Sequence, residues 1–192
     1  DDMHSYEEML HFVDTVAATG CTHFIVHARI AILQGLSPKE NREVPPLRYE
    51  DVYRLKQDRP QLTIEINGGI KTFAETQAHL LHVDGVMIGR EAYHNPYLLA
   101  EMGQLWNVDM PNRFEIMQQM MPYIQQRVAE GAPLSIITRH ILGLLQDLPG
   151  ARKWRQAVSG GNAKTIADIE QALTNIQAAM QRTEDYVREQ QG

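Results

Sequence analysis

The sequence predicts an α/β chain: the closing βα units of a parallel barrel, followed by an all-helical bundle. Three observations lead there. Short apolar runs at 23–27, 62–66 and 85–88 each precede a helical pattern, the alternation of a parallel sheet. The second and third runs end in small residues, Asn67-Gly68-Gly69 and Gly89-Arg90. After Asp109-Met110-Pro111-Asn112 the pattern becomes helical throughout.

The elements follow in order. Ser5 with Glu8 reads as a capping box for a helix that places Met9, Phe12, Val13 and Val16 on one side and ends near Gly20. His23–His27 reads as a buried strand. A helix is expected over 50–58, with Val52, Tyr53 and Leu55 inward and Pro60 as its stop. The strand at 62–66 is followed by a helix over 72–82, capped by Thr72 with Glu75, and then by the strand at 85–88. Three parallel strands alone would leave two apolar edges uncovered. Residues 1–108 are therefore expected to be part of a (β/α)8 barrel whose opening strands are not in this chain. The competing reading is a small complete three-layer domain.

Residues 109–192 are expected to form the bundle. Phe114, Met117, Met121, Ile124 and Val128 repeat at helical spacing, as do Leu134, Ile137, Ile141, Leu144 and Leu148 up to Pro149-Gly150. A short helix around 153–159 precedes a long one carrying Ile166, Ile169, Leu173, Ile176, Met180 and Val187 on one stripe. The methionines fit a core role.

Composition narrows the function classes. Of 192 residues 43% are hydrophobic and 22% charged, normal for a globular core. No run approaches a membrane span, and no secretory leader is visible in the opening Asp1-Asp2-Met3-His4, so a cytoplasmic location is expected. Cys21 is the one cysteine, which argues for a reducing compartment and against a thiolate metal site. It is expected to be a small buried core residue rather than a nucleophile. No HExxH, CxxC, Walker A or GxSxG pattern appears. Net charge is −6, which by itself argues against nucleic acid. The charge is uneven, though: residues 1–110 carry a net −7 and residues 111–192 a net +1. A basic patch in the second half would count for more than the total.

Several residues carry candidate chemistry. Two neighbouring strand ends with bare glycine amides and Arg90 suit a phosphate, because a side chain there would block the anion. Two ordinary strand-to-turn glycines are the plainer alternative. His27 closes its strand at the rim where barrel enzymes place their chemistry. His23, at the opposite end, is expected to be structural. The loop Gln34-Gly35-Leu36-Ser37-Pro38-Lys39-Glu40-Asn41-Arg42 is long and polar, with Lys39 and Arg42 available to an anion or simply solvated. Ala151-Arg152-Lys153-Trp154-Arg155 is the main basic cluster, with Arg152 and Arg155 three apart on one face and Trp154 pointing elsewhere. These cations suit phosphates, or else form a solvated helix face.

Taken together, Val26-His27-Ala28-Arg29, the Gly35–Arg42 loop with Pro45-Pro46-Leu47, Ile66-Asn67-Gly68-Gly69-Ile70 and Asp84–Tyr93 with Asn95-Pro96 closely resemble the tRNA-dihydrouridine synthases. The GLSPKENR loop, Thr138-Arg139-His140, Gly143-Leu144 and Pro149-Gly150-Ala151-Arg152 resemble the A subfamily. The resemblance implies an FMN-bearing barrel and a helical tRNA-binding domain in a monomeric, metal-free enzyme. That enzyme reduces D-loop uridine (20/20a) in tRNA, with NADPH recharging the flavin. It places FMN on His27, Asn67, Gly68, Gly69, Gly89 and Arg90, and tRNA on Lys39, Arg42, Arg152 and Arg155. It also implies that the proton-donating cysteine lies in a loop upstream of this chain, so that the 192 residues alone are inactive and bind FMN poorly. The family usually has lysine where Ile30 stands here, one cation fewer near the rim. The alternatives weighed are a non-catalytic RNA-binding module and a flavin barrel of the dihydroorotate dehydrogenase type.

Overall fold

The structure, a computed structural model, describes residues 5–32 and 35–191. Asp1–His4 and Gln34, which figure in the sequence reading, lie outside the described residues. The chain divides into two compact units, Asp1–Glu91 and Ala92–Gly192. The boundary expected at 108/109 falls inside the second.

The first unit holds α1 (Tyr6–Ala17), β1 (His23–His27), α2 (Tyr49–Asp58), β2 (Thr63–Asn67), α3 (Phe73–His79) and β3 (Gly85–Met87). A 3-10 turn covers Glu40–Arg42. Both expected capping boxes are present, Ser5 with Glu8 on α1 and Thr72 with Glu75 on α3. Each satisfies backbone N–H groups that have no partner inside the helix. The strands are parallel in the order β1-β2-β3.

Phe24, Val26, Ile64, Ile66 and Val86 belong to the core with Val52 and Leu55 of α2 and Tyr6 and Val13 of α1. Tyr6 donates to Asp58 at 2.5 Å, and Arg59 grips Asp14 through two nitrogens, each at 2.6 Å. These bonds tie α1 to the end of α2. Strand alternation turns Ile25, His27, Glu65, Asn67 and Met87 to the other side of the sheet.

Three expectations need correction here. β1 is an edge strand rather than a buried one, with Ile25 53% exposed, because its second neighbour is missing among the described residues. Phe12 is likewise 53% exposed, although Val13 beside it is buried. Cys21 is half-buried, with its thiol on the His23 carbonyl.

The second unit takes in most of α4 (Arg90–His94), then α5 (Tyr97–Met102), α6 (Arg113–Ala129), α7 (Leu134–Thr138), α8 (Ala151–Val158) and α9 (Ile166–Gln191). Its core includes Met117, Ile124, Leu145, Trp154, Val158, Ile169 and Ile176, with Met120 and Met121 packed against it. The methionine stripe is therefore core.

The helix expected over 134–148 ends at Thr138. Beyond it the chain is wound in three-residue turns, such as Ile141 N–H to the Thr138 carbonyl and Leu144 N–H to the Ile141 carbonyl. Ile137, Ile141 and Leu144 stay buried, so their spacing reports burial without a continuous helix. Val187, expected on the inner stripe of α9, is 47% exposed.

Candidate functional site

Parallel register lines up the carboxyl ends of the three strands, with His27 opposite Asn67 and Asn67 opposite Met87. Asn67 fastens all three. Its carbonyl accepts from Ala28 N–H at 2.8 Å, and its Nδ2 donates to the Met87 carbonyl at 2.7 Å. Gly68 and Gly69 follow at φ 123° and 72°, a region that β-carbons disfavour. A β-carbon on Gly69 would also stand 2.8 Å from Leu47 Cδ1, and one on Gly68 3.1 Å from Leu47 Cδ2. The Gly68 carbonyl accepts from the Tyr49 hydroxyl at 2.7 Å. These two glycines thus have a reason of their own in the fold.

Gly89 differs. Its φ lies outside the left-handed range, and a β-carbon there would meet nothing within 4 Å. Nothing among the described residues requires a bare backbone at this position. An anion seated on the backbone would.

The electrostatics are cationic. Desolvation holds the His27 imidazole below its ordinary pKa, and the guanidinium charges of Arg29, Arg90 and Arg42 push it the same way. His27 is therefore neutral at neutral pH, in a positive field that a bound anion would relieve. The 35–48 loop adds Arg42 to that field and is docked rather than merely solvated. Arg29 donates to the Pro45 carbonyl, and Arg48 N–H donates to the Ala28 carbonyl at 2.7 Å. Asn41 holds both backbone groups of Ile32, at 2.7 and 2.9 Å. Ser37 and Glu40 bond each other's backbone, and the Ser37 hydroxyl first, then its backbone N–H, keep the Glu40 carboxyl below its ordinary range.

Arg90 donates to Glu43 at 2.6 Å and to the Arg42 carbonyl at 3.3 Å. Both members of that pair are about half exposed, so it is a weak tether, about 0–1 kcal/mol. Arg29 Nε is buried with no acceptor among the described residues. Lys39 and Arg42 are exposed, and their side chains have no hydrogen-bond or ion-pair partner among the described residues. His23, at the far end of β1, pairs with Glu65 at 2.8 Å, a structural contact as expected.

The structure thus gathers His27, Asn67, Gly68, Gly69, Gly89, Arg90 and Arg42 in the first unit, around or just beyond the strand ends. Sequence reasoning missed Glu43, Leu47 and Tyr49. Their roles rest on contacts as many as 47 residues distant along the chain, for which no local pattern exists.

In the second unit Arg152 and Arg155 stand exposed on α8 without side-chain partners among the described residues, while Trp154 is 1% exposed and anchors the helix in the core. Arg139 Nε donates to His140 Nε2 at 3.0 Å, and the other ring nitrogen of His140 meets the Tyr93 hydroxyl at 3.0 Å.

A family model described as "Dihydrouridine synthase (Dus)" matches residues 1–183. Curated relatives that match this chain carry the name tRNA-dihydrouridine(20/20a) synthase, among them the following three. That of Shewanella oneidensis is 53% identical over 173 residues, 88% of this chain and 52% of the relative. That of Vibrio cholerae is 51% identical over 183 residues, 92% and 56%. That of Synechocystis is 51% identical over 181 residues, 93% and 54%. The chain spans about half the length of the curated relatives it matches. By the family match and by these identities, this chain belongs to the dihydrouridine synthase family.

Proposed function

We propose that this chain is part of a tRNA-dihydrouridine synthase of the A type. In this reading residues 1–108 form the closing sector of an FMN-binding (β/α)8 barrel, and residues 109–192 form a helical tRNA-binding domain. The enzyme would reduce the 20/20a uridines of tRNA in the cytoplasm, as a monomer without a metal.

The observation that carries the reading is the cationic strand-end cluster beside an unexplained bare backbone. The relatives' names supply the substrate. The sheet supports the barrel sector in two ways. Parallel sheets are normally covered on both faces. Here the face carrying His27 and Asn67 leaves Ile25 53% and Met87 45% exposed, and both outer strands lack a second neighbour among the described residues.

The residues present fit the phosphate end of FMN. Gly89 offers open backbone, Arg90 a guanidinium on a displaceable tether, and Arg29 Nε a buried donor lacking an acceptor among the described residues. Asn67, Gly68 and Gly69 form the neighbouring rim. His27, neutral and within a positive field, would donate to an anionic group of the cofactor. When bound, FMN would supply the hydride chemistry, with NADPH as reductant. The chain's own residues bind and orient. Lys39 and Arg42 on one unit, and Arg152 and Arg155 on the other, would hold tRNA phosphates.

Two measurements test this. Flavin fluorescence titration of the protein carrying this chain should show tighter binding of FMN than of riboflavin, a preference lost in Arg90→Ala. Mass spectrometry of tRNA incubated with NADPH should show dihydrouridine at 20/20a. Equal binding of the two flavins would overturn the phosphate assignment, and unmodified tRNA would overturn the activity.

A further inference from the structure

The α8–α9 groove of the second unit has chemistry of its own. It encloses about 920 Å³. Among the described residues three cations line it, Arg152, Lys153 and Arg182, and no carboxylate does. That is unusual in a chain with 24 acidic residues and a net charge of −6.

None of the three has a side-chain hydrogen bond or ion pair among the described residues. Elsewhere in the same fold cations find carboxylates, as Arg59 does with Asp14 and Arg127 with Glu130. An unpaired cluster of like charge repels itself, and a polyanion would relieve that cost.

The groove is a built feature. Gly150 adopts φ 92°, and a β-carbon there would stand 3.0 Å from Ala179 Cβ and 3.3 Å from Ile176 Cγ1. The bare glycine therefore lets the start of α8 close onto α9, which brings Arg152 and Lys153 to the same groove as Arg182. One turn beyond Arg182 on the same face comes Tyr186, 63% exposed and also lining the groove. Trp154, which lines it as well, is 1% exposed, and its indole N–H has no acceptor among the described residues. Arginines beside an uncovered aromatic ring suit a nucleic-acid strand, with phosphates on the cations and a base or ribose on the ring.

We propose that this groove holds a stretch of the tRNA ribose-phosphate backbone, with Arg182 and Lys153 joining Arg152 at the phosphates and Tyr186 as the stacking face. The inference rests on the tRNA reading above and extends it to residues of α9. An acidic polypeptide is the competing occupant that the test separates.

The experiment measures tRNA binding by the protein carrying this chain at several salt concentrations, for the wild type, Arg182→Ala, Tyr186→Ala and Arg127→Ala. All three positions are exposed, and circular dichroism checks that each variant folds. Arg182→Ala should raise Kd several-fold and reduce the slope of log affinity against log salt by about 0.7 to 0.9. Tyr186→Ala should raise Kd about fivefold or more with the slope unchanged. Arg127→Ala, already paired with Glu130, should match the wild type. Wild-type binding with Arg182→Ala and Tyr186→Ala unaffected overturns the groove alone. A wild type that does not bind tRNA overturns the tRNA reading, and the groove with it. Polyglutamate that displaces tRNA at equal charge concentration overturns the RNA assignment.

Discussion

Gly89→Ala separates folding from cofactor binding. The fold has no need of a glycine here, because the φ is not left-handed and an added methyl meets nothing within 4 Å. An alanine at a compatible site narrows the unfolded ensemble and stabilises by roughly 0.4 to 1 kcal/mol. For a unit of this size that raises Tm by about 2 to 8 °C. The same methyl would occupy the space assigned to the FMN phosphate. Displacing the phosphate from one backbone N–H loses a charged hydrogen bond of about 1.5 to 3 kcal/mol, or roughly ten- to hundredfold in Kd. Thermal denaturation and flavin titration of one preparation of the protein carrying this chain read both effects. A fall in Tm would show that the glycine has a structural duty. An unchanged FMN affinity would remove Gly89 from the phosphate site and leave the strand-end assignment without its main support.

Three further outcomes follow from the same geometry. Gly143→Ala should destabilise the second unit by about 3 kcal/mol or more, because its β-carbon would lie 1.8 Å from the His94 carbonyl oxygen, which is rigid backbone; chemical denaturation that shows less than about 1 kcal/mol would refute the close approach. His79 is buried, is hydrogen-bonded through Nδ1 to the Tyr53 hydroxyl at 2.7 Å, and is held below its ordinary pKa first by desolvation. Its folded form binds fewer protons than its unfolded form, so its contribution is present above about pH 6.5 and lost as pH falls further, with His27 of the same sign. Denaturation midpoints between pH 7 and 5 should therefore decline, and less steeply in His79→Gln; equal slopes would refute the assignment. Glu43→Gln should leave stability within about 0.5 kcal/mol, since the Arg90 pair is exposed, while tightening FMN binding by freeing the guanidinium; weaker binding in the flavin titration would refute the competition.

The legible features were those with short-range causes. Ser5 with Glu8 and Thr72 with Glu75 announced two helix starts, because a capping box closes within three residues. The parallel sense of the sheet and the rim position followed from βα alternation, and the structure puts His27 and Asn67 side by side at one end of the sheet. The failures had distant causes. Residues 139–148 keep the apolar spacing of a helix yet turn away from it where Gly143 comes up against His94, 49 positions earlier in the chain. An apolar run such as 23–27 cannot reveal how many neighbours it has, so β1 read as buried while Ile25 is open. The Arg90–Glu43 tether and the Leu47 packing on Gly69 are equally invisible to local pattern.

The cations of this chain sort by what surrounds them. Arg59 and Lys56 are consumed in the fold, Arg59 by Asp14 and Lys56 by Asp84 at 2.8 Å together with the Pro60 and Leu62 carbonyls. Lys39, Arg42, Arg152, Lys153, Arg155 and Arg182 are not, yet lack of a partner alone does not select a functional cation, since the exposed Lys71 side chain also has none among the described residues. What selects is company. Arg42 shares the field on His27 with Arg29 and Arg90, and Arg152 shares a carboxylate-free groove with Lys153 and Arg182. On the tRNA reading, a chain of net charge −6 would meet a polyanion most favourably at such clusters. Repulsion elsewhere would then act as a specificity device, because it would leave productive contact to the few places where positive charge is concentrated.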